Sequence, residues 1–196
     1  MEIKENSTEA KIIESTFKIL QEEGVEKATT KRIAEEAGFN EVTIFRKFKT
    51  KQNLINISKE YHLDLFKKKL DELFDFREDE EFDDYITTRF YRLLEFSDSD
   101  FSVIKVAMEE VRDIPGKKHL ISDITDVIFN RLNEFYALQV EKGRIRELDP
   151  KVLSLMSFCL MFQSSILCRV YSKDADFEMD YFADMVVDIL SNGVKP

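Results

Sequence analysis

Only five glycines and three prolines interrupt this chain of 196 residues, and their positions decide what it can fold into. Gly and Pro resist helical backbone most strongly, so a chain this poor in them runs in long helices. The first helix is capped at Ser7 or Thr8 and runs to Glu23. It sets Ile13, Phe17 and Leu20 at helical spacing and ends at Gly24. A short helix over Thr30–Ala37 follows Thr29, puts Ile33, Ala34 and Ala37 on its apolar face, and stops at Gly38. Asn40 caps a third, Glu41 to about Phe48, with Ile44 and Phe48 inward. A fourth begins near Lys51 and reaches about Phe74. Further helices are expected over 83–96, 101–112 and 118–141, punctuated by Pro115, Gly116 and Gly143. Asp149 before Pro150 marks another start, an N-cap with Pro at the first helical position. The helix from there to about Tyr171 is apolar nearly all round, which predicts burial on most faces. A last amphipathic helix spans 177–190. No strand alternation and no repeat stands out, so the expected class is all-α, with about nine helices.

Charge is distributed unevenly. Residues 1–61 hold 11 basic and 11 acidic side chains, and the net charge of −10 comes entirely from the rest. An acidic body repels nucleic acid, so only a locally basic tip can approach it. Arg46, Lys47, Lys49 and Lys51 supply such a tip within six positions. The six acidic residues between Glu78 and Asp84 read as a solvated turn and helix N-terminus rather than a metal site.

Cys159 and Cys168 are nine positions apart, about 13 Å along a helix and too far for a disulfide, so two buried thiols in a reducing compartment are expected. The N-terminus lacks a signal-peptide pattern, and apolar runs break short of the ~20 residues that span a bilayer. These features lead us to expect a cytoplasmic chain with no membrane partner. His62 and His119 are the only histidines, there is no HExxH or Gly-rich phosphate loop, and no nucleophile sits in a recognisable setting. Catalysis, a metal and a cofactor are therefore not expected.

The most informative segment is TTKRIAEEAGFNEVTIFRKFKTKQNLI, Thr29 to Ile55. Ala34 lets two short helices cross closely, Gly38 supplies the tight turn, and Ile33, Ile44 and Phe48 clamp the pair. The outer face of the second short helix is left free to enter a major groove. The IAEEAG run, Phe39-Asn40 in the turn, Thr43-Ile44-Phe45, Phe48 and the following KTKQNLI resemble the TetR family of regulators, from about Thr8 to Leu54.

The resemblance implies an N-terminal three-helix helix-turn-helix DNA-binding domain over 1–50 and a larger helical ligand-binding and dimerisation domain over 51–196. It also implies roles. Thr30 would hold a phosphate at a helix N-terminus. Asn40 opens the recognition helix, and Thr43 would meet the backbone or a thymine methyl. Lys47, Lys49 and Lys51 would meet phosphates. Lys31 and Arg46 would reach base edges, and Glu41 a cytosine amino group. Three departures bear on which operator is read: Phe45 stands where the family usually has Tyr, Val42 where Gly or Ala is frequent, and Glu41 where a polar or basic residue is frequent.

Helix-turn-helix modules of this size read DNA in pairs, so a homodimer on a palindromic operator of double-stranded DNA is expected. The last two helices offer Leu153, Leu160, Leu167, Phe182, Met185, Val186 and Ile189 as its interface. The 17 phenylalanines exceed what three short helices can absorb. Phe90, Leu94, Met108, Phe129, Phe158, Met161 and Phe162 are candidates to line a pocket for an apolar or aromatic effector, with Ser157, Gln163 and Ser164 to orient it. The rival reading is a helical interaction protein that has lost DNA binding, supported only by the acidic net charge.

Overall fold

The computed structural model describes residues 7–108, 120–169 and 178–194. Every regular element among them is helical. The elements are α1 (Thr8–Glu23), α2 (Thr30–Ala37), α3 (Glu41–Phe48), α4 (Lys51–Phe74), α5 (Phe82–Leu94), α6 (Asp98–Met108), α7 (Leu120–Glu141), α8 (Pro150–Phe158), α9 (Ser164–Arg169) and α10 (Met179–Val194). A π-helical turn, Cys159–Gln163, joins α8 to α9. Pro115, Gly116, His119, Tyr171 and Phe177 lie outside the described residues, as do the outer turns of the helices expected over 101–112 and 118–141.

By its contacts the chain forms two compact units: Met1–Phe66 with Ser102–Leu120, and Lys67–Phe101 with Ile121–Pro196. The division falls inside α4, beyond the functional boundary expected near residue 50.

In the first unit each short helix is delimited by its own side-chain chemistry. Ser7 Oγ accepts from the Ala10 amide at 3.1 Å, Thr29 Oγ1 from Arg32 at 3.2 Å, and Asn40 Oδ1 from Thr43 at 2.9 Å. Gly24 and Gly38 close α1 and α2 at φ 81° and 72°, where a Cβ is disfavoured. Ile12, Ile13, Phe17 and Leu20 of α1 are buried with Ile33, Ala34, Ile44 and Phe48. α4 seals this core with Leu54, Ile55 and Leu63, and Ser58 Oγ donates to the Ile13 carbonyl at 3.1 Å. The His62 ring stacks on Phe17 with centroids 3.8 Å apart.

The second unit is built on aromatic rings. Tyr85 is fully buried, stacks on Phe135 at 3.7 Å and donates its hydroxyl to the Phe74 carbonyl at 2.9 Å. Burial pushes the Tyr85 and Tyr136 hydroxyls far above the ordinary tyrosine range, so both stay neutral. The acidic run from Glu78 to Asp84 is not simply solvated. Glu80 pairs with Arg89 at 2.7 Å, both side chains mostly covered, and the Glu80 carbonyl accepts from Gln139 and Arg144.

Two expectations about the run after Pro150 need correction. It is not one regular helix, and it is not buried on most faces. Val152, Leu155, Met156 and Leu167 are each about half exposed or more, and Cys159, expected to be buried, is exposed with them. The π turn inserts one extra residue and shifts the register between α8 and α9. Pro150–Leu167 is long and apolar enough by composition to cross a membrane, but Ser154, Ser157 and Ser165 on its inner side are fully buried in the chain.

Candidate nucleic-acid interface

The site is the outer face of α3 with the ends of α2 and α4, all in the first unit. Burial of Ile44 and Phe48, four residues apart, fixes which face α3 turns inward. The residues between and around them must then point outward. Glu41, Val42, Phe45, Arg46 and Lys49 are exposed, while Thr43, Lys47 and Lys51 are half-buried. Thr30 is half-buried and Lys31 exposed at the start of α2. All eleven residues expected at the DNA face, Asn40 included, therefore lie on these three helices and their caps.

Their hydrogen bonds refine the roles expected for several of them. Thr30 Oγ1 donates to Glu41 Oε2 at 2.6 Å, so its hydroxyl is engaged with the carboxylate that opens α3 rather than held free for a phosphate. Thr43 Oγ1 donates to Asn40 Oδ1 at 3.0 Å. Lys47 Nζ is ion-paired with Glu9 of α1, and that hydrogen bond holds the Glu9 carboxyl below the usual carboxylate range. Lys49 caps α3 at φ 69° and donates Nζ to the Arg46 carbonyl at 3.3 Å. Among the described residues, Lys31, Arg46 and Lys51 have no ion-pair partner. Glu9 was not foreseen. It lies 38 residues from Lys47, and no local spacing connects the two.

Arg32 bridges Glu23 at 3.2 Å and Glu36 at 3.4 Å, and Lys18 reaches Glu36 at 2.6 Å. The Arg32–Glu23 and Lys18–Glu36 pairs tie α2 to α1, and Arg32–Glu36 lies within α2. The Lys18 hydrogen bond keeps the Glu36 carboxyl below its ordinary value. A crevice of about 550 Å³ in the same unit is lined by Lys11, Glu14, Glu36 and Tyr61 among others, walls too polar for the apolar effector pocket expected from sequence.

The geometry is that of a helix-turn-helix, and residues 12–56 match the model of bacterial regulatory proteins of the tetR family. Over these residues the chain is similar to the TetR family. An uncharacterized HTH-type transcriptional regulator of Bacillus subtilis (strain 168), YvkB, is 44% identical over 48 residues. That match covers 24% of this chain and 25% of YvkB, so the chain spans about a quarter of the length of this curated relative. Two solved structures are alike over nearly their whole length. SmeT, the repressor of the Stenotrophomonas maltophilia multidrug efflux pump SmeDEF, superposes at TM-score 0.69 with 15% identity, covering 97% of this chain and 92% of SmeT. A protein of Saccharomonospora viridis in complex with choline superposes at TM-score 0.72 with 17% identity, covering 96% and 97%. These two are likenesses of fold.

The residues expected in the larger helical domain are distributed as follows. Phe90, Met161 and Phe162 are buried, and Leu94, Phe129 and Phe158 half-buried, all in the second unit. Phe158 stacks on Phe162 at 5.3 Å, and Phe90 meets Phe182 edge-on at 6.1 Å. Met108 belongs to the first unit. Of the polar candidates, Ser157 is buried and bonded to the Tyr136 hydroxyl at 2.5 Å, Ser164 bonds back to the Met161 carbonyl at 3.2 Å, and Gln163 is exposed and faces outward. Of the seven interface candidates, Leu167, Met185 and Ile189 are exposed at 47%, 40% and 61%, and Leu160 and Phe182 are half-buried. Leu153 and Val186 turn into the chain's own core, because helical phase puts them opposite the exposed stripes. Val152, Leu155, Met156 and Tyr181 stand on those stripes instead, missed because composition alone does not give the phase.

Proposed function

We propose that this protein is a DNA-binding transcription regulator that acts as a homodimer on a palindromic operator, as a repressor released by a small apolar or aromatic molecule. One observation carries the reading. A short capped helix inside the segment that matches the tetR family buries Ile44 and Phe48 and turns Glu41, Val42, Phe45 and Arg46 outward, with Lys31, Lys49 and Lys51 around them. Lys49 and Lys51 supply phosphate contacts, Lys47 is held by Glu9, and Arg46 and Lys31 reach base edges.

The dimer reading draws on the apolar residues exposed along α8–α9 and α10, Val152, Leu155, Met156 and Leu167 on one and Tyr181, Met185 and Ile189 on the other. A two-fold packing of these helices would cover them. In this reading residues 1–50 serve DNA and residues 51–196 serve the effector and the partner copy, in the cytoplasm. Phe90, Leu94, Phe129, Phe158, Met161 and Phe162 are the wall we assign to the effector. Among the fold neighbours SmeT is a repressor and the Saccharomonospora viridis protein is in complex with choline, which supports reading this chain as a repressor that takes a small molecule. The effector shifts a two-state equilibrium only by its differential affinity for the two states. Because α4 belongs to both units, its movement is the route we assign to that signal.

Selection of bound duplexes from random DNA tests the reading. An inverted repeat should be enriched, and an apolar effector should release it. Failure to enrich any sequence over bulk duplex would refute it.

A further inference from the structure

Val42 is 74% exposed, the most exposed large apolar side chain among the described residues. It stands in the first turn of the helix that Asn40 caps. Three positions on, Phe45 is 47% exposed, and residues so spaced share a helix face. Val42 and Phe45 thus form an exposed apolar pair on α3, with exposed Arg46 and Lys49 in the same segment and exposed Lys31 on α2. A solvated helix has no use for such a pair, and the surrounding charge favours a polyanion over another protein.

The neighbouring polar groups are committed elsewhere. The Thr43 hydroxyl donates to Asn40 Oδ1, and the Glu41 carboxylate accepts from Thr30. What the N-terminal half of α3 can still offer a groove is therefore chiefly apolar contact. In the major groove of B-DNA the only apolar group on a base edge is the thymine 5-methyl. The N-terminal residues of a recognition helix are also the ones that reach base edges.

We infer that Val42, backed by Phe45, reads the 5-methyl group of a thymine in each half-site, so that a T·A pair is specified there by apolar contact. The inference rests on the DNA-binding reading above.

The test uses the full chain and the duplex it enriches from random DNA. Each thymine is replaced in turn by deoxyuridine, which removes the methyl and leaves the pairing edge and the charge unchanged. At one symmetry-related position the exchange weakens wild-type binding by about fourfold per half-site, the worth of one buried methyl-sized group. Val42→Ala binds the thymine and uracil duplexes equally, with an unchanged salt dependence. Val42 is exposed and Ala is the stronger helix former, so this variant keeps its fold, with the melting temperature as control. Tolerance of uracil at every position overturns the inference, and so does a full uracil penalty retained by Val42→Ala. Either result leaves the DNA-binding reading standing. If the wild-type chain enriches no duplex at all, both fall together.

Discussion

Replacing Lys51 by alanine removes one cation from each tip of the proposed dimer, and the loss should be read in the salt dependence of binding. Lys49 and Lys51 are the cations we assign to phosphates that no carboxylate of the described residues engages, while Lys47 is held by Glu9. Two contacts per protomer give a slope of log K against log salt of about −3.6, each phosphate contributing about −0.9. Lys51→Ala should halve that slope to about −1.8, with affinity falling about equally on every sequence. Glu9→Gln makes the opposite change. It frees Lys47 in both protomers and should steepen the slope to about −5.4. Arg46→Ala is the contrasting variant, expected to cost about 1–3 kcal/mol at one base position and to relax preference there. Fluorescence anisotropy on the selected duplex between about 50 and 200 mM salt separates these cases, with circular dichroism to confirm the fold. Slopes unchanged in both Lys51→Ala and Glu9→Gln would refute the division of the tip into free and held cations.

Other outcomes follow from the same structure. Leu155→Asp combined with Ile189→Asp places charge on two residues that are 55% and 61% exposed in the single chain. It should leave helical content intact while sedimentation shows a monomer that no longer holds its operator. Gly38→Ala meets open space around a new Cβ, so its cost is the left-handed backbone alone, about 1–2 kcal/mol in urea unfolding. Gly38→Asn should cost less, because Asn tolerates that conformation. Stability should also fall in acid. The Arg131 hydrogen bond holds the Asp71 carboxyl below its ordinary value, and Lys18 does the same for Glu36. A carboxyl whose folded pKa is depressed stabilises the native state above the ordinary carboxylate range, about 4, and loses that contribution as pH falls through the folded value. Urea midpoints should therefore be level from pH 7 to about 5 and drop below pH 4, and less steeply in Asp71→Asn.

Much of the N-terminal unit was legible because its signals are local. Ser7, Thr29 and Asn40 cap within three residues of the amides they satisfy, and Gly38 closes α2 in the left-handed conformation that glycine adopts without strain, so α1 to α3 begin and end where sequence places them. α6 was expected from Phe101 but begins at Asp98, since Ser97 and Asp100 cap each other's amides at 2.8 and 3.2 Å. That signal was present in the SDSD run. The faces of α8 to α10 were not legible. An all-round apolar helix gives no phase, and the π turn at Cys159–Gln163 shifts whatever phase there is. Nor was the partner of Lys47, because ion pairs across 38 residues follow from the packing of α1 on α3 and leave no trace in spacing.

In the proposed complex two copies of this chain set α3 of each into neighbouring turns of one duplex. Hydroxyl-radical footprinting of the selected duplex, with the mass of the complex measured in parallel, tests it most directly. Two protomers per duplex are expected, with two symmetric protected patches whose centres lie one helical turn, about 34 Å, or a small multiple of it apart. A single unsymmetrical patch occupied by one protomer would contradict it.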